Sequence, residues 1–110
     1  MDINAAADSL AALGHETRLA IYRLLVQAGN DGINAGVIST RLALAPATLS
    51  FHLAHLTRTG LVVSRPEGRF IYYSADYARM NTLLGFLTAN CCAGESCTNI
   101  NNLCAEGESA

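Results

Sequence analysis

The stretch that decides the fold is Pro46-Ala47-Thr48-Leu49-Ser50-Phe51-His52-Leu53-Ala54-His55-Leu56-Thr57-Arg58-Thr59-Gly60. Its leucines recur at intervals of four and three residues, which predicts a helix with one apolar face. Proline suits the first turn of a helix because its missing N–H costs nothing there, and glycine suits the residue that ends one. The pattern therefore predicts a helix from Pro46 to about Thr59, with polar, aromatic and basic side chains on its outward face.

A β-hairpin is predicted directly after this helix. Two runs rich in β-forming residues cover residues 61–65 and 69–74, and Pro66-Glu67-Gly68 joins them. Before the helix, Asn34 can cap a short helix that a tight connection at residues 43–45 links to the next one. Two helices joined by a short turn and followed by a hairpin form a winged helix-turn-helix, here over residues 34–75.

Three further helices complete the predicted fold. Residues 3–13 are rich in alanine, with Ile3, Leu10 and Leu13 at near-helical spacing, and residues 16–28 carry a wide apolar stripe. Asp76 can cap a fifth helix whose apolar stripe continues to residue 90. The predicted fold class is mainly α, with five helices and a β-hairpin wing between the fourth and the fifth. Residues 1–90 form the predicted domain, and residues 91–110 form a polar tail that carries the cysteines.

The charge of the chain is unevenly distributed. The net charge is -2, yet residues 32–75 carry four arginines against one glutamate, which gives this segment a charge of +3. Binding to nucleic acid depends on local cations that meet phosphates rather than on the total charge. The acidic balance of the whole chain therefore does not exclude such binding, and the middle segment is the predicted cationic face.

The sequence predicts a cytoplasmic location. The first residues include an acid and no base, and no apolar run approaches the roughly 18 residues that cross a bilayer. We therefore expect no membrane partner. In a reducing cytosol the cysteines are expected to be thiols rather than disulfides.

Double-stranded DNA is the predicted partner of the winged helix-turn-helix. Its second helix can enter the major groove while the hairpin reaches the flanking backbone or minor groove. Hydroxyl, aromatic, imidazole and guanidinium groups can contact bases or phosphates there. The candidates are Thr48, Ser50, Phe51, His52, His55, Arg58, Arg65 and Arg69. For two of them the alternative is a role within the fold, in which His52 satisfies a backbone group and Phe51 packs against a neighbour.

Three segments resemble a known family. They are residues 12–19 (Ala-Leu-Gly-His-Glu-Thr-Arg-Leu), residues 49–56 (Leu-Ser-Phe-His-Leu-Ala-His-Leu), and the run from Gly60-Leu61-Val62 to Gly68-Arg69 and Tyr72-Tyr73. Over roughly residues 8–90 the chain resembles the ArsR/SmtB metal-responsive repressors. The resemblance implies a homodimer joined through the first and fifth helices, which agrees with a fifth-helix stripe that exceeds what one short domain needs. It also implies that the unliganded dimer represses transcription and that a bound ligand releases the operator DNA.

The predicted ligand site lies in the tail, where the four cysteines are Cys91, Cys92, Cys97 and Cys104. Thiolates without nearby histidines select soft ions, such as trivalent arsenic or antimony, cadmium, lead or copper(I), over hard cations. Two metal sites that other members of the family carry are not expected here. The arsenic site at the start of the third helix would need thiols where Asn34 and Gly36 stand, and the zinc site on the fifth helix would need histidines that this helix does not have. The chain is similar to arsenic-responsive members that carry three cysteines after the fifth helix, including an adjacent pair. This similarity implies that Cys91, Cys92 and Cys97 bind As(III) or Sb(III).

Other functions stay open at this stage. Cys104 is outside the predicted set, as a spare thiol or as a fourth ligand for a tetrahedral ion. The same fold also suits a cadmium or lead sensor, or a thiol redox switch in which Cys91 or Cys92 pairs with Cys97 or Cys104. An enzyme is not expected, because no carboxylate is spaced to orient a histidine as a base near a cysteine. No organic cofactor is expected either.

Overall fold

Five helices and a three-stranded antiparallel sheet make up residues 1–90, the part of the chain that the computed structural model describes. In chain order the elements are α1 (Ile3–Leu13), α2 (Glu16–Ala28), β1 (Ile33–Asn34), α3 (Ala35–Leu42), α4 (Pro46–Arg58), β2 (Val62–Glu67), β3 (Phe70–Ala75) and α5 (Tyr77–Leu87). The predicted winged helix-turn-helix with five helices is confirmed. The bounds of the first four helices agree closely with the sequence prediction, because proline, glycine and capping residues mark their ends. The fifth helix ends at Leu87, before the predicted residue 90.

Side-chain caps fix where several helices begin. The carboxylate of Asp2 accepts from the backbone N–H of Ala5 at 2.7 Å at the start of α1. Asn34 caps α3 in the same way through the N–H of Val37 at 3.0 Å, and Asp76 caps α5. Each cap satisfies one of the amide groups that a first helical turn leaves without a partner.

The helix-turn-helix itself is a sharp corner between α3 and α4. Ala43 adopts a left-handed conformation with φ of 53° at the end of α3, and the Ser39 hydroxyl donates to the carbonyl of Leu44. Among residues 1–90, no single helix is long and apolar enough to cross a membrane, and α3 with α4 passes that test only as a pair bent by 113°. A corner of this size is typical of helix-turn-helix units.

The sheet corrects two predictions about the wing. Pro66 pairs with Ile71 and Glu67 with Phe70, so both residues belong to β2 and the turn contains just two residues, Gly68 and Arg69. Gly68 has a φ of 64°, a value that a tight hairpin turn requires and that glycine adopts without strain. The strand β1 was not predicted. Its two residues pair with β3, so β3 is the middle strand of the sheet, in the order β1-β3-β2.

The core lies between α2 and α4. Ile21 and Leu25 of α2 are fully buried against Leu53 and Leu56 of α4, and Val62 closes the core beside the sheet. Because α4 buries its leucine stripe here, its opposite face is directed to solvent.

The outer helices α1 and α5 bury little of their apolar surface. The buried residues of α1 are Ala6, Ser9 and Ala12, whereas Ile3 is 70% exposed and Leu10 is 43% exposed. The small side chains of α1 face the domain, Leu13 packs against the edge of the core, and Ile3 and Leu10 stay exposed. In α5 Leu83 is the one residue that is buried, and Leu87 is half-exposed. Both helices therefore present apolar side chains to the outside of a single chain.

Candidate nucleic-acid interface

The exposed face of α4 carries most of the predicted DNA contacts. Thr48, Ser50 and Arg58 are exposed, and Phe51 is 68% exposed. Phe51, the half-buried His55 and Arg58 follow one another at intervals of four and three residues, so they form a single stripe along the helix. This arrangement offers hydroxyl groups, an aromatic edge, an imidazole and a guanidinium to one groove of a duplex.

The first turn of α4 adds backbone donors to this face. The helix begins with Ala45 and Pro46, and no side chain caps it by a hydrogen bond. Pro46 has no N–H, and the N–H of Leu49 donates to the carbonyl of Ala45. The N–H groups of Ala47 and Thr48 are therefore free within residues 1–90, and such amides bind phosphate oxygens well. The start of α4 can thus hold the DNA backbone while the following turns reach the bases.

His52 lies inside the fold rather than on the exposed face. It is 6% exposed, its Nδ1 is 3.4 Å from Nη1 of Arg18, and its ring centroid is 4.9 Å from that of His15. Because an arginine only donates, Nδ1 of His52 is the acceptor and its proton is on Nε2. The prediction that His52 contacts DNA does not fit this burial, and the alternative of a role within the fold does.

Arg18 and His15 form a junction at the turn between α1 and α2, which the sequence analysis did not identify. Arg18 donates through Nε to the carbonyl of Ala12 at 2.7 Å, at the end of α1. His15 caps α2 by accepting from the backbone N–H of Thr17 at 3.2 Å. The same two side chains touch His52, so this junction fixes α4 relative to α1 and α2. Segment 12–19 was noted for its resemblance alone, and its composition gave no indication of a contact 34 residues away.

The two histidines of α4 have lowered pKa values. Burial is the main cause for His52, and electrostatic interactions with His15, Arg18 and His55 lower its pKa further. Partial burial also lowers the pKa of His55, together with Arg18, Arg58 and His15. Both side chains are therefore neutral near pH 7, so His55 can offer one donor and one acceptor to DNA rather than a charge.

The two arginines of the wing make different contacts. Arg65 donates to the carboxylate of Glu67 at 3.1 Å and to the carbonyl of Asp31 at 3.1 Å, and it lies 5.5 Å from the ring centre of Tyr72. These contacts hold the wing against the turn before β1. Arg69 is exposed in the two-residue turn at the tip of the wing and makes no hydrogen bond to residues 1–90. Arg69 is therefore the wing residue best placed to meet a DNA phosphate.

The predicted ligands Cys91, Cys92 and Cys97 lie outside the described residues, as does Cys104. Within residues 1–90, no three histidine, cysteine, aspartate or glutamate side chains come together in a way that could hold a metal ion. The prediction of a thiolate site in the tail therefore stays a prediction.

Known proteins are similar to this chain over the whole region just described. A family model described as a helix-turn-helix domain matches residues 13–65. The transcriptional activator HlyU of Vibrio cholerae is 33% identical over 78 residues, which are 71% of this chain and 69% of HlyU. The solved structure of reduced HlyU has a TM-score of 0.63 at 32% identity, over 81% of this chain and 90% of that one.

A possible ArsR-family regulator from Mycobacterium bovis, solved as a homodimeric winged helix-turn-helix DNA-binding domain, is 29% identical. Its TM-score is 0.64, and the match covers 88% of both chains. The chain belongs to the ArsR-type family of helix-turn-helix transcriptional regulators. A third structure, a possible regulator for arsenical resistance, matches this ArsR-type regulator with a TM-score of 0.65 and 25% identity, over 90% of this chain and 95% of the other.

Membership of this family settles the general activity. The ArsR-type regulator binds DNA through its winged helix-turn-helix and regulates transcription. Its relatives are regulators with helix-turn-helix domains, which confirms the prediction that the chain is not an enzyme. The exposed face of α4 and the tip of the wing are the parts of the fold that can perform this activity.

Proposed function

We propose that this regulator is a repressor that dissociates from its operator when As(III) or Sb(III) binds the thiolates of Cys91, Cys92 and Cys97. The observation that carries the proposal is the position of the cysteines. All four cysteines of the chain follow α5 within residues 91–104, and the first of them comes four residues after Leu87. In the sequence, the adjacent pair Cys91 and Cys92 therefore comes just after the end of α5.

The donor set fits a trivalent metalloid. Trivalent arsenic prefers three soft ligands, and the tail supplies sulfur donors without a histidine after His55. Gly94 lies between the pair and Cys97, so the chain has the freedom to bring the third sulfur back to the first two. The similarity to a possible regulator for arsenical resistance also supports arsenic as the ligand.

We also propose that the regulator acts as a homodimer through α1 and α5. Ile3, Leu10 and Leu87 are large apolar residues that are between 43% and 70% exposed in the single chain. An apolar surface on both helices is typical of an interface with a second copy. The relative from Mycobacterium bovis is homodimeric, which supports this assembly. Two copies would present two α4 helices to two half-sites of an operator.

The start of α5 gives the proposed signal a route to the DNA-binding helix. The backbone N–H of Asp76 donates to the carbonyl of Leu61 at 2.9 Å, just after α4. The hydroxyl of Tyr77 donates to the carbonyl of Val26 at 2.8 Å, at the end of α2. A ligand that shifts α5 therefore changes how the two α4 helices are spaced in the dimer. A coupling free energy of about 1 to 3 kcal/mol weakens DNA binding several-fold to a hundredfold.

A thiol redox switch is the second candidate. Cys91 or Cys92 would form a disulfide with Cys97 or Cys104 and change the end of α5 in the same way. The observation that favours it is the similarity to HlyU, for which a reduced form has been solved. Cadmium or lead in the same thiolate site is a variant of the first proposal.

A titration of the DNA complex separates these candidates. The fully reduced protein, kept with a phosphine reductant that does not compete as a thiol, is bound to a fluorescent duplex from its upstream DNA. Arsenite, antimonite, cadmium and zinc are added separately, and an oxidant is added to a further sample from which the reductant has been removed. Release of the DNA is followed by anisotropy. Release by stoichiometric arsenite or antimonite is expected. Release by the oxidant with no response to any ion would replace the proposal with the redox switch.

A further inference from the structure

A pocket opens between α1, α4 and α5. Its volume is about 370 Å³, and its walls are Ala5, Asp8, Ala11, His55, Arg58, Thr59 and Arg79. Pockets of this size hold small ligands. The three alanine and threonine side chains are small, so the chemistry of the pocket is set by its charged residues and His55.

Arg79 is the residue whose hydrogen bonds are missing. Its Nε atom is buried and has no hydrogen-bond partner in the described part of the chain. The guanidinium lies over Gly60, where a Cβ atom would come within 3.4 Å of Nε, so glycine leaves the space that this side chain occupies. A buried charged donor without an acceptor is costly, so Arg79 lines this pocket without its charge being offset by residues 1–90.

The pocket carries more positive than negative charge. Arg58 and Arg79 supply two guanidinium groups, and Asp8 supplies one carboxylate. Asp8 is within ion-pair distance of neither arginine, since Arg65 and Glu67 form the sole ion pair found within residues 1–90. Two unpaired guanidinium groups at one concave site match the oxygen atoms of a phosphate or carboxylate, because each can donate two parallel hydrogen bonds.

We propose that this pocket binds a small oxyanion with phosphate-like oxygen atoms, and that the bound oxyanion weakens DNA binding. The second part follows from the position of His55 and Arg58, which belong to the exposed stripe of α4. An anion held by Arg58 neutralises a charge that otherwise meets the DNA backbone. The inference does not depend on the cysteines, and it adds a second input to the regulator.

The pocket does not coincide with the apolar surface that the proposed homodimer would use. Asp8 and Leu10 are two positions apart in α1, which places them about 200° apart around the helix axis. The flank of α1 that carries Ile3 and Leu10 is thus on the other side from the flank that lines the pocket. On α1, the flank that a second copy would cover is therefore separate from the flank that lines the pocket.

Calorimetric titration of the full reduced chain with inorganic phosphate tests the proposal. Sodium chloride keeps the ionic strength constant, so that general screening does not imitate binding. Saturable binding of one phosphate per chain is expected. Arg79→Gln should weaken it at least about tenfold, because a charged hydrogen bond is lost. Asp8→Asn should tighten it, and Arg23→Gln, which removes an exposed arginine of α2, should leave it unchanged.

Two further measurements on the same variants distinguish other uses of Arg79. In the salt dependence of DNA binding without phosphate, Arg79→Gln should keep the wild-type slope, because the proposed ligand is a free oxyanion. A slope that falls by about 0.9, the value for one phosphate contact, would show that Arg79 contacts the DNA backbone and would overturn the proposal. Loss of dimers for Arg79→Gln in sedimentation would assign it to a partner's carboxylate and overturn it as well. Phosphate binding that is absent, or equal in wild type and Arg79→Gln, would also refute it.

Discussion

Replacing Arg18 by glutamine should destabilise the whole domain, although the residue is partly exposed. Arg18 joins the end of α1 to α4, through the Ala12 carbonyl at 2.7 Å and Nδ1 of His52 at 3.4 Å. The first contact is short and charge-assisted, and the second is long. Glutamine keeps a comparable helix propensity but is too short to make both contacts.

The expected loss can be worked from these two contacts. A hydrogen bond to a charged group contributes about 1.5 to 3 kcal/mol, and the cost is larger when a buried acceptor is left without a partner. Ala12 is fully buried, whereas the arginine is partly solvated, which reduces the gain. We therefore expect the free energy of unfolding to fall by about 2 kcal/mol, which lowers the Tm by roughly 10 °C for a domain of this size.

Urea unfolding followed by circular dichroism measures this loss directly. The protein concentration is held fixed, since the stability of a dimer depends on it. Arg23→Gln is the matched control, because Arg23 is an exposed arginine on the same helix with no hydrogen bond among residues 1–90, and it should change the unfolding free energy by less than about 0.5 kcal/mol. Equal losses for Arg18→Gln and Arg23→Gln would refute the junction as a stabilising contact.

Three further predictions follow from the same geometry. Burial lowers the pKa of His52 below 6.5, so on acidification the unfolded chain binds a proton at this histidine before the folded chain does. The contribution of neutral His52 to the stability of the fold is therefore complete above about pH 6.5 and is lost as the pH falls. Urea midpoints at about pH 7.5 and pH 5.5 should differ more for the wild type than for His52→Gln, and equal differences would contradict the burial of this histidine. Arg58→Ala should reduce the slope of the logarithm of the DNA-binding constant against the logarithm of salt concentration by about 0.9. Arg65→Ala should reduce this slope much less, because Arg65 is held by Glu67. Anisotropy at several salt concentrations measures both slopes, and equal reductions would contradict this assignment. Leu10→Asp should abolish the dimer in sedimentation while the circular dichroism of the monomer stays helical, because Leu10 is 43% exposed in one chain; an unchanged dimer would move the interface elsewhere.

The sequence predicts the helices of this fold well because their ends are set locally. Pro46 begins α4 and Gly60 follows its end, and the leucines between them repeat with the period of a helix. The strands were predicted less well. β1 has two residues, too few for any alternation to show, and its pairing with β3 depends on a partner almost 40 residues away.

Side-chain roles were harder to predict than elements. Of the eight DNA-contact candidates, Thr48, Ser50, Phe51, Arg58 and Arg69 are on the exposed surface as expected. His52 is buried because His15 and Arg18 of a distant turn cover it, and Arg65 is held within the wing by Glu67 and the carbonyl of Asp31. Periodicity shows which residues share a face, but it does not show which distant residue packs on that face.

The regulator binds DNA through its winged helix-turn-helix, and we propose that Cys91, Cys92 and Cys97 control its release. Anisotropy of an operator duplex with arsenite, measured for Cys91→Ser, Cys92→Ser and Cys97→Ser beside Cys104→Ser, tests it most directly. All four variants should bind the operator with wild-type affinity, because none changes the described interface. Arsenite should release Cys104→Ser from the operator as it releases the wild-type protein. It should fail to release the other three variants from the operator. Release of any of those three at wild-type arsenite concentrations would contradict the claim.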